Sequence, residues 1–212
     1  MNQRLPNIKY QGGIDDFAYM EELADRRYEI YETIEAIAEG DDSGAGSKPL
    51  IPWLVEQIIQ CNREDKGLPV EQRKPIRLYI NSPGGDLFAG FALIDAIKLS
   101  ETPVYTVNMG QWCSMAFLIG IAGHKRYSLP HAKFLMHDGQ SFTYGSTAKA
   151  QDEAEFNKRY EKEVVKAHVL SNSRMTEKEY DKVFRIEYYM LPQDALEKGF
   201  IDEVVTNLET IM

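Results

Sequence analysis

Hydrophobic and polar positions change their period several times along the chain. "RRYEIY" (26–31) alternates and predicts a short strand, whereas "LIPWLVEQIIQCN" (50–62) spaces Leu54, Ile58 and Cys61 along one helical face. The middle of the chain is the most patterned. "IRLYIN" (76–81) predicts an apolar strand ended by the turn "SPGG" (82–85), after which Leu87, Phe91, Ile94 and Ile97 recur at helical spacing. "TPVYTVNM" (102–109) predicts a second strand ended by a turn around Gly110, and Cys113 to Ala122 a second buried helix. "KRYSL" and "AKFLMH" follow as two further strands separated by Pro130. Strand, turn and helix repeated in this way predict a layered α/β fold with mostly parallel pairing.

The remainder is more polar. From Ser146 to about Asn172 the pattern predicts one long charged helix with Phe156, Tyr160 and Val164 on a single apolar stripe, continued by His168. So polar a helix does not build a core, and its stripe is expected to meet something beyond its own domain. Thr176 with Glu179 forms a capping box, Pro192 and Gly199 bracket a short helix, and "FIDEVV" closes the fold as a strand. Residues 1–25 lack a clear period and read as an arm; residues 26–212 read as one domain, interrupted by the Gly/Ser/Asp-rich loop 39–49.

Composition narrows the function classes. With 24 Lys+Arg against 33 Asp+Glu the net charge is −9, which argues against a nucleic-acid surface. The sequence has no 18-residue apolar stretch, so no membrane association is expected, and "MNQRLPNIKY" lacks the apolar segment of a signal peptide. The 2 cysteines, Cys61 and Cys113, stand far apart and predict no disulfide framework, so a cytoplasmic location is expected.

Two strand-to-helix turns can carry chemistry, because the first N–H groups of a helix lack intrahelical partners. "SPGG" lets the backbone turn sharply and a substrate come close, but no lysine follows it as in a phosphate-binding loop. In "GQWCSM" (110–115), Ser114 heads an apolar helix, either as an N-terminal cap or as an attacking hydroxyl beside the N–H of Met115. Of the histidines, His124 and His131 sit in polar loops and His168 on the charged helix, while His137 ends an apolar strand, where its ring can face a cleft. No ligand cluster with metal spacing is present.

"LYINSPGGD", "GQWCSM", "KRYSLPHAKFLMH" and "YYMLPQDALEKGFIDEV", in this order and spacing across roughly residues 76–205, resemble the ClpP family, the proteolytic subunits of the Clp protease. The resemblance implies a ClpP/crotonase fold of stacked ββα units with a protruding handle helix, the handle region being 140–172. It implies a serine endopeptidase with Ser114 as nucleophile, His137 as general base and Glu187 as the third member. Gly85 and Met115 are implied as the oxyanion-hole donors. Gly84, Asp86, Leu87, Asp138 and Gly139 are implied to lie along the edges that hold an extended peptide. Cys113 takes a position of small residues in relatives, which assigns it to packing.

The same resemblance implies heptameric rings of this chain, possibly stacked into a tetradecamer through the handle. Residues 1–25 would lie at an axial entrance, and a Clp-type AAA+ unfoldase would feed unfolded polypeptide. The chain itself would need no cofactor, ATP being used by the unfoldase. Several positions depart from the family. Glu187 stands where relatives have Asp, leaving Asp181 and Asp138 as alternatives for the third member. Arg77, next to the matching Tyr79, replaces an aromatic of the docking cleft, and Trp112 replaces a small residue, which would narrow the substrate pocket. Arg185 and Ile186 replace a charged pair between rings, and "HDGQSF" replaces His-Gln-Pro. These departures leave a catalytically silent structural or partner subunit as the alternative function, with a crotonase-like acyl-CoA enzyme a distant third.

Overall fold

The computed structural model describes residues 24–35, 49–139 and 145–212. Nearly all of the expected arm 1–25, loop 39–49 except Pro49, and the first part of the region 140–172 lie outside the described residues.

The predicted alternation of elements is present. Strand β1 (Arg27–Ile30), helix α1 (Leu50–Glu64), strand β2 (Ile76–Ser82), helix α2 (Leu87–Leu99) and strand β3 (Val104–Cys113) succeed one another along the chain. Helix α3 (Met115–Gly120), strand β4 (Lys125–Ser128) and strand β5 (Lys133–Met136) follow. β1 pairs with β2, β2 with β3, and β3 with β4, all parallel. Parallel neighbours require a crossover, and the apolar helices supply it while covering one face of the sheet. Ile76, Leu78 and Ile80 of β2 point into that face and meet a core that includes Leu54, Ile58, Leu93, Ile94 and Ile97. On the opposite face Val107, Tyr127, Val205 and Ile211 form a smaller cluster, and the Tyr79 hydroxyl donates to the Ile211 carbonyl at 2.5 Å. Arg77 lies on that face beside Arg27 of β1.

One expected turn is absent. β3 does not end near Gly110; its first half pairs with β4, and residues Gln111–Cys113 then pair with β5. The strand changes partner at the glycine instead of stopping there, and this carries Ser114 onto the edge of a second strand group.

Trp112 also corrects an expectation. It is fully buried, packs edge-on against Phe134 at 5.5 Å, and presses on Gly120, where an added Cβ would fall 2.3 Å from its ring. Side chains alternate along a strand, so the ring points into the core and does not narrow the cavity described below.

The long charged helix comprises α4 (Thr147–Tyr160), a π-helical turn (Glu161–Val165) and α5 (Lys166–Ser171). None of the α4 residues is buried, as for a protruding element, whereas Val165 and Val169 are. The apolar stripe therefore divides. Tyr160 packs on Phe88 at 5.4 Å and Phe91 at 5.7 Å, Val164 packs on the chain's own core, and only Phe156 is largely exposed. Helix α6 (Glu177–Val183) carries the expected capping box, α7 (Pro192–Glu197) starts on its proline, and β7 (Glu203–Val204) pairs parallel with β4. Strand β6 (Tyr188–Met190), the one antiparallel member among the described residues, pairs with β5.

Candidate active site

Ser114 connects β3 to α3 in a conformation, φ 54 and ψ −123, that a non-glycine residue adopts at a cost of about 1–3 kcal/mol. Its N–H donates to the Leu135 carbonyl of β5 at 2.9 Å, and its carbonyl accepts from Phe117 at 3.0 Å. These bonds hold the strained turn. The hydroxyl makes no capping bond to the helix, so the capping role does not account for this serine. The Met115 N–H is the first of α3 and has no intrahelical acceptor. Cys113 points elsewhere: its Sγ lies 3.7 Å from the Gln111 side-chain oxygen, and burial pushes its thiol pKa up, which makes a thiolate harder to form.

The "SPGG" turn sits directly against this corner. A Cβ on Gly84 would fall 2.6 Å from the Cys113 carbonyl oxygen and 2.7 Å from the Ser114 Cβ, so only glycine fits. Gly85 is held from the other side. Ile34 donates to the Gly84 carbonyl at 2.8 Å and accepts from Asp86 at 2.7 Å, and a Cβ on Gly85 would lie 1.9 Å from the Ile34 oxygen. Backbone groups alternate in direction along an extended segment, so the N–H and C=O of Gly85 face away from Ile34. Asp86 caps α2, its carboxylate accepting from the Ala89 N–H at 2.7 Å.

His137 follows β5 and Glu187 precedes β6. The antiparallel register Met136↔Tyr188 sets the two opposite each other, and His137 Nδ1 lies 3.0 Å from Glu187 Oε1. The other carboxylate oxygen accepts from the Tyr189 hydroxyl at 3.4 Å. Asp181 is engaged by Lys166 at 2.7 Å. His137 Nε2 is buried and has no hydrogen-bond partner, so the Ser114 hydroxyl is not yet bonded to the ring.

Ser114, Met115, Gly85, Asp86, Leu87, His137, Asp138 and Gly139 all line one cavity of about 580 Å³. Gly84 is not part of its wall and acts by permitting the close approach behind Ser114. The far wall comes from elements that the motifs did not single out for the site: Tyr160 and Glu161 of the long helix, and Tyr180 and Phe184 of the segment after it. The stripe containing Tyr160 was the available signal, but periodicity alone does not say which surface a stripe meets. Among the described residues no group of three His, Cys, Asp or Glu side chains could hold a metal ion, and no helix is long and apolar enough to cross a membrane.

Residues 68–208 match the family model described as Clp protease. This chain belongs to the Clp protease family. Within that family it is 36% identical over 194 residues to the ATP-dependent Clp protease proteolytic subunit of Streptococcus mutans, covering 87% of this chain and 93% of the relative. It is 35% identical over 156 residues to the ATP-dependent Clp protease proteolytic subunit 2 of Nocardia farcinica, covering 73% of each. The matched residues 68–208 include both strand-to-helix corners, at Gly85 and Ser114, and the long helix that follows them.

Proposed function

We propose that this chain is a serine endopeptidase in which Ser114 attacks a peptide carbonyl. His137 Nε2 takes the hydroxyl proton, while Glu187, accepting from Nδ1–H, fixes the tautomer and stabilises the imidazolium. The oxyanion forms beside the N–H groups of Gly85 and Met115. Collapse breaks the C–N bond as His137 returns the proton to the leaving amine, and water then hydrolyses the acyl-serine by the same base. Asp86 and Leu87 on one side, and Asp138 and Gly139 on the other, offer the edges between which an extended substrate lies as an added strand. The observation that carries this reading is the imidazole held at one nitrogen by Glu187, with its other nitrogen unpartnered in the cavity that Ser114 lines.

The names of the relatives, ATP-dependent Clp protease proteolytic subunits, support a further step, in which this chain is a proteolytic subunit that works with an ATP-using partner. Cleavage of unfolded polypeptide inside a chamber of its own copies rests on the family resemblance. Heptameric rings, and their stacking as a tetradecamer, rest on the family resemblance; ATP would be consumed by the partner and this chain would need no cofactor.

A fluorophosphonate probe tests the chemistry. Labelling of the wild type that disappears in Ser114→Ala supports the peptidase. A folded assembly that takes up no label favours the alternative, a catalytically silent structural or partner subunit.

A further inference from the structure

Glu187 reaches His137 from an exposed position. Along β5, Phe134 and Met136 point into the core, so Lys133, Leu135 and His137 fall on the opposite face. β6 repeats the alternation: Tyr188 and Met190 pack on the core, and Glu187 and Tyr189 lie outside, beside that face of β5. Tyr189 pairs with Leu135, one step further into the sheet than Glu187.

The Glu187 carboxylate has two partners there. Oε1 lies 3.0 Å from His137 Nδ1, and Oε2 accepts from the Tyr189 hydroxyl at 3.4 Å. Among the described residues no Lys or Arg forms an ion pair with it. Its side chain is 56% exposed, so a carboxylate with no second contact would be free to swing away from the ring and into water. The tyrosine ring has fewer torsions than the glutamate and stands on a paired strand residue, which makes its hydroxyl the stiffer of the two groups.

We infer that Tyr189 is a positioning residue, whose hydroxyl holds the Glu187 carboxylate with Oε1 turned towards His137. The inference rests on the peptidase reading for its effect on turnover, but not for its effect on the imidazole. A carboxylate kept against Nδ1–H favours the charged ring, and one turned into solvent favours it less. Water can replace the hydroxyl as a donor to Oε2, so losing Tyr189 changes the direction of the carboxylate more than its charge. The charged groups that share the cavity with His137, namely Asp86, Asp138, Glu153 and Glu161, are untouched by a change at Tyr189, as is Lys133 on the outer face of β5. The nearby Cys113 thiol stays neutral because burial pushes its pKa up. At 3.4 Å the hydroxyl bond is long, and the effect expected from it is modest.

Tyr189→Phe removes the hydroxyl and keeps the ring. On the full chain it should lower kcat for a fluorogenic peptide about fivefold at unchanged KM. In Glu187→Ala, which has no carboxylate to position, the same change should cost nothing further, whereas a merely structural tyrosine would cost as much there. An unchanged kcat in Tyr189→Phe, a rise in KM alone, or an equal loss in the Glu187→Ala background overturns the inference. If the wild type hydrolyses no peptide, the peptidase reading fails separately and the imidazole decides. Nitrogen-15 NMR of histidine-labelled protein, with His137 assigned through His137→Gln, follows the ring's titration in the wild type and in Tyr189→Phe. A midpoint lowered by about half a pH unit supports the inference, and one unchanged or raised overturns it.

Discussion

His137 and Glu187, 50 positions apart in sequence, meet through a 3.0 Å contact between Nδ1 and Oε1. The contact follows from strand register: β5 and β6 run antiparallel with Met136 opposite Tyr188, so the residues just beyond that pair are neighbours. A glutamate has one more methylene than an aspartate, and here that reach is accommodated because Glu187 lies at the strand mouth, half exposed, rather than wedged behind the ring.

Removing the carboxylate should therefore act on the ring's tautomer and orientation. Glu187→Ala should lower kcat for peptide hydrolysis by about 10²–10⁴-fold, while Glu187→Asp should retain a measurable part of the activity. Steady-state hydrolysis by the three proteins checks this. Indifference to the alanine change would remove Glu187 from the mechanism and return Asp138 to consideration.

Gly85 is fixed by contacts that leave no room for a side chain. In Gly85→Ala the new Cβ would be driven into the Ile34 carbonyl, 1.9 Å away, so the 82–86 turn must shift from the segment at Ile34. Since the Gly85 N–H is one of the two candidate oxyanion donors, a displaced turn should lower kcat by about 10²–10³-fold, the cost of losing one such donor. Fluorophosphonate labelling should slow in parallel, while far-UV circular dichroism should show the helices retained.

The alternating and helical periods made most of the fold legible: β2, α2 and the closing strand fall where the pattern puts them, since each buries one face against one core. Three features were not legible, for distinct physical reasons. Gly110 reads as a turn because glycine usually punctuates strands, yet here it marks a change of strand partner, which depends on residues far along the chain. Trp112 looks like a pocket residue by its nearness to Ser114, but strand alternation turns it into the core, where Gly120 makes space for it. The stripe on the long helix was visible, but whether a stripe meets another subunit or its own domain is decided by tertiary packing. For the candidate site, the motifs picked out residues that line one cavity, whereas the strained φ at Ser114 and the wall from Tyr160, Glu161 and Tyr180 required the fold.

A fully buried indole packed on Phe134 and Gly120 contributes to the core, so Trp112→Ala should destabilise the protein by about 3–5 kcal/mol. Its effect on the preference between small and bulky substrates should be slight, because the ring is not in the cavity wall. Chemical denaturation gives the first quantity and a peptide panel the second. A marked shift of preference at unchanged stability would place the ring in the site after all.

His168 ties the long helix to the corner that carries Ser114. Its Nε2 lies 2.9 Å from the Leu118 carbonyl of α3, so Nε2 donates, and Nδ1 accepts from the Asn172 amide at 3.3 Å. This pairing requires the neutral ring: a proton on Nδ1 would face the Asn172 donor. Burial, the larger influence, brings the His168 pKa down from 6.5 to about 4. A pKa lower in the folded chain than in the unfolded one means that the unfolded state binds the proton more readily. The stabilisation is therefore complete above pH 6.5 and is lost progressively as pH falls towards about 4. The loss amounts to about 3 kcal/mol from this group. Urea unfolding midpoints measured across this interval should fall in the wild type. In His168→Gln, which can still donate to Leu118 but has no proton to gain, they should be flatter. Parallel slopes in the two proteins would show that the acid sensitivity arises at other groups.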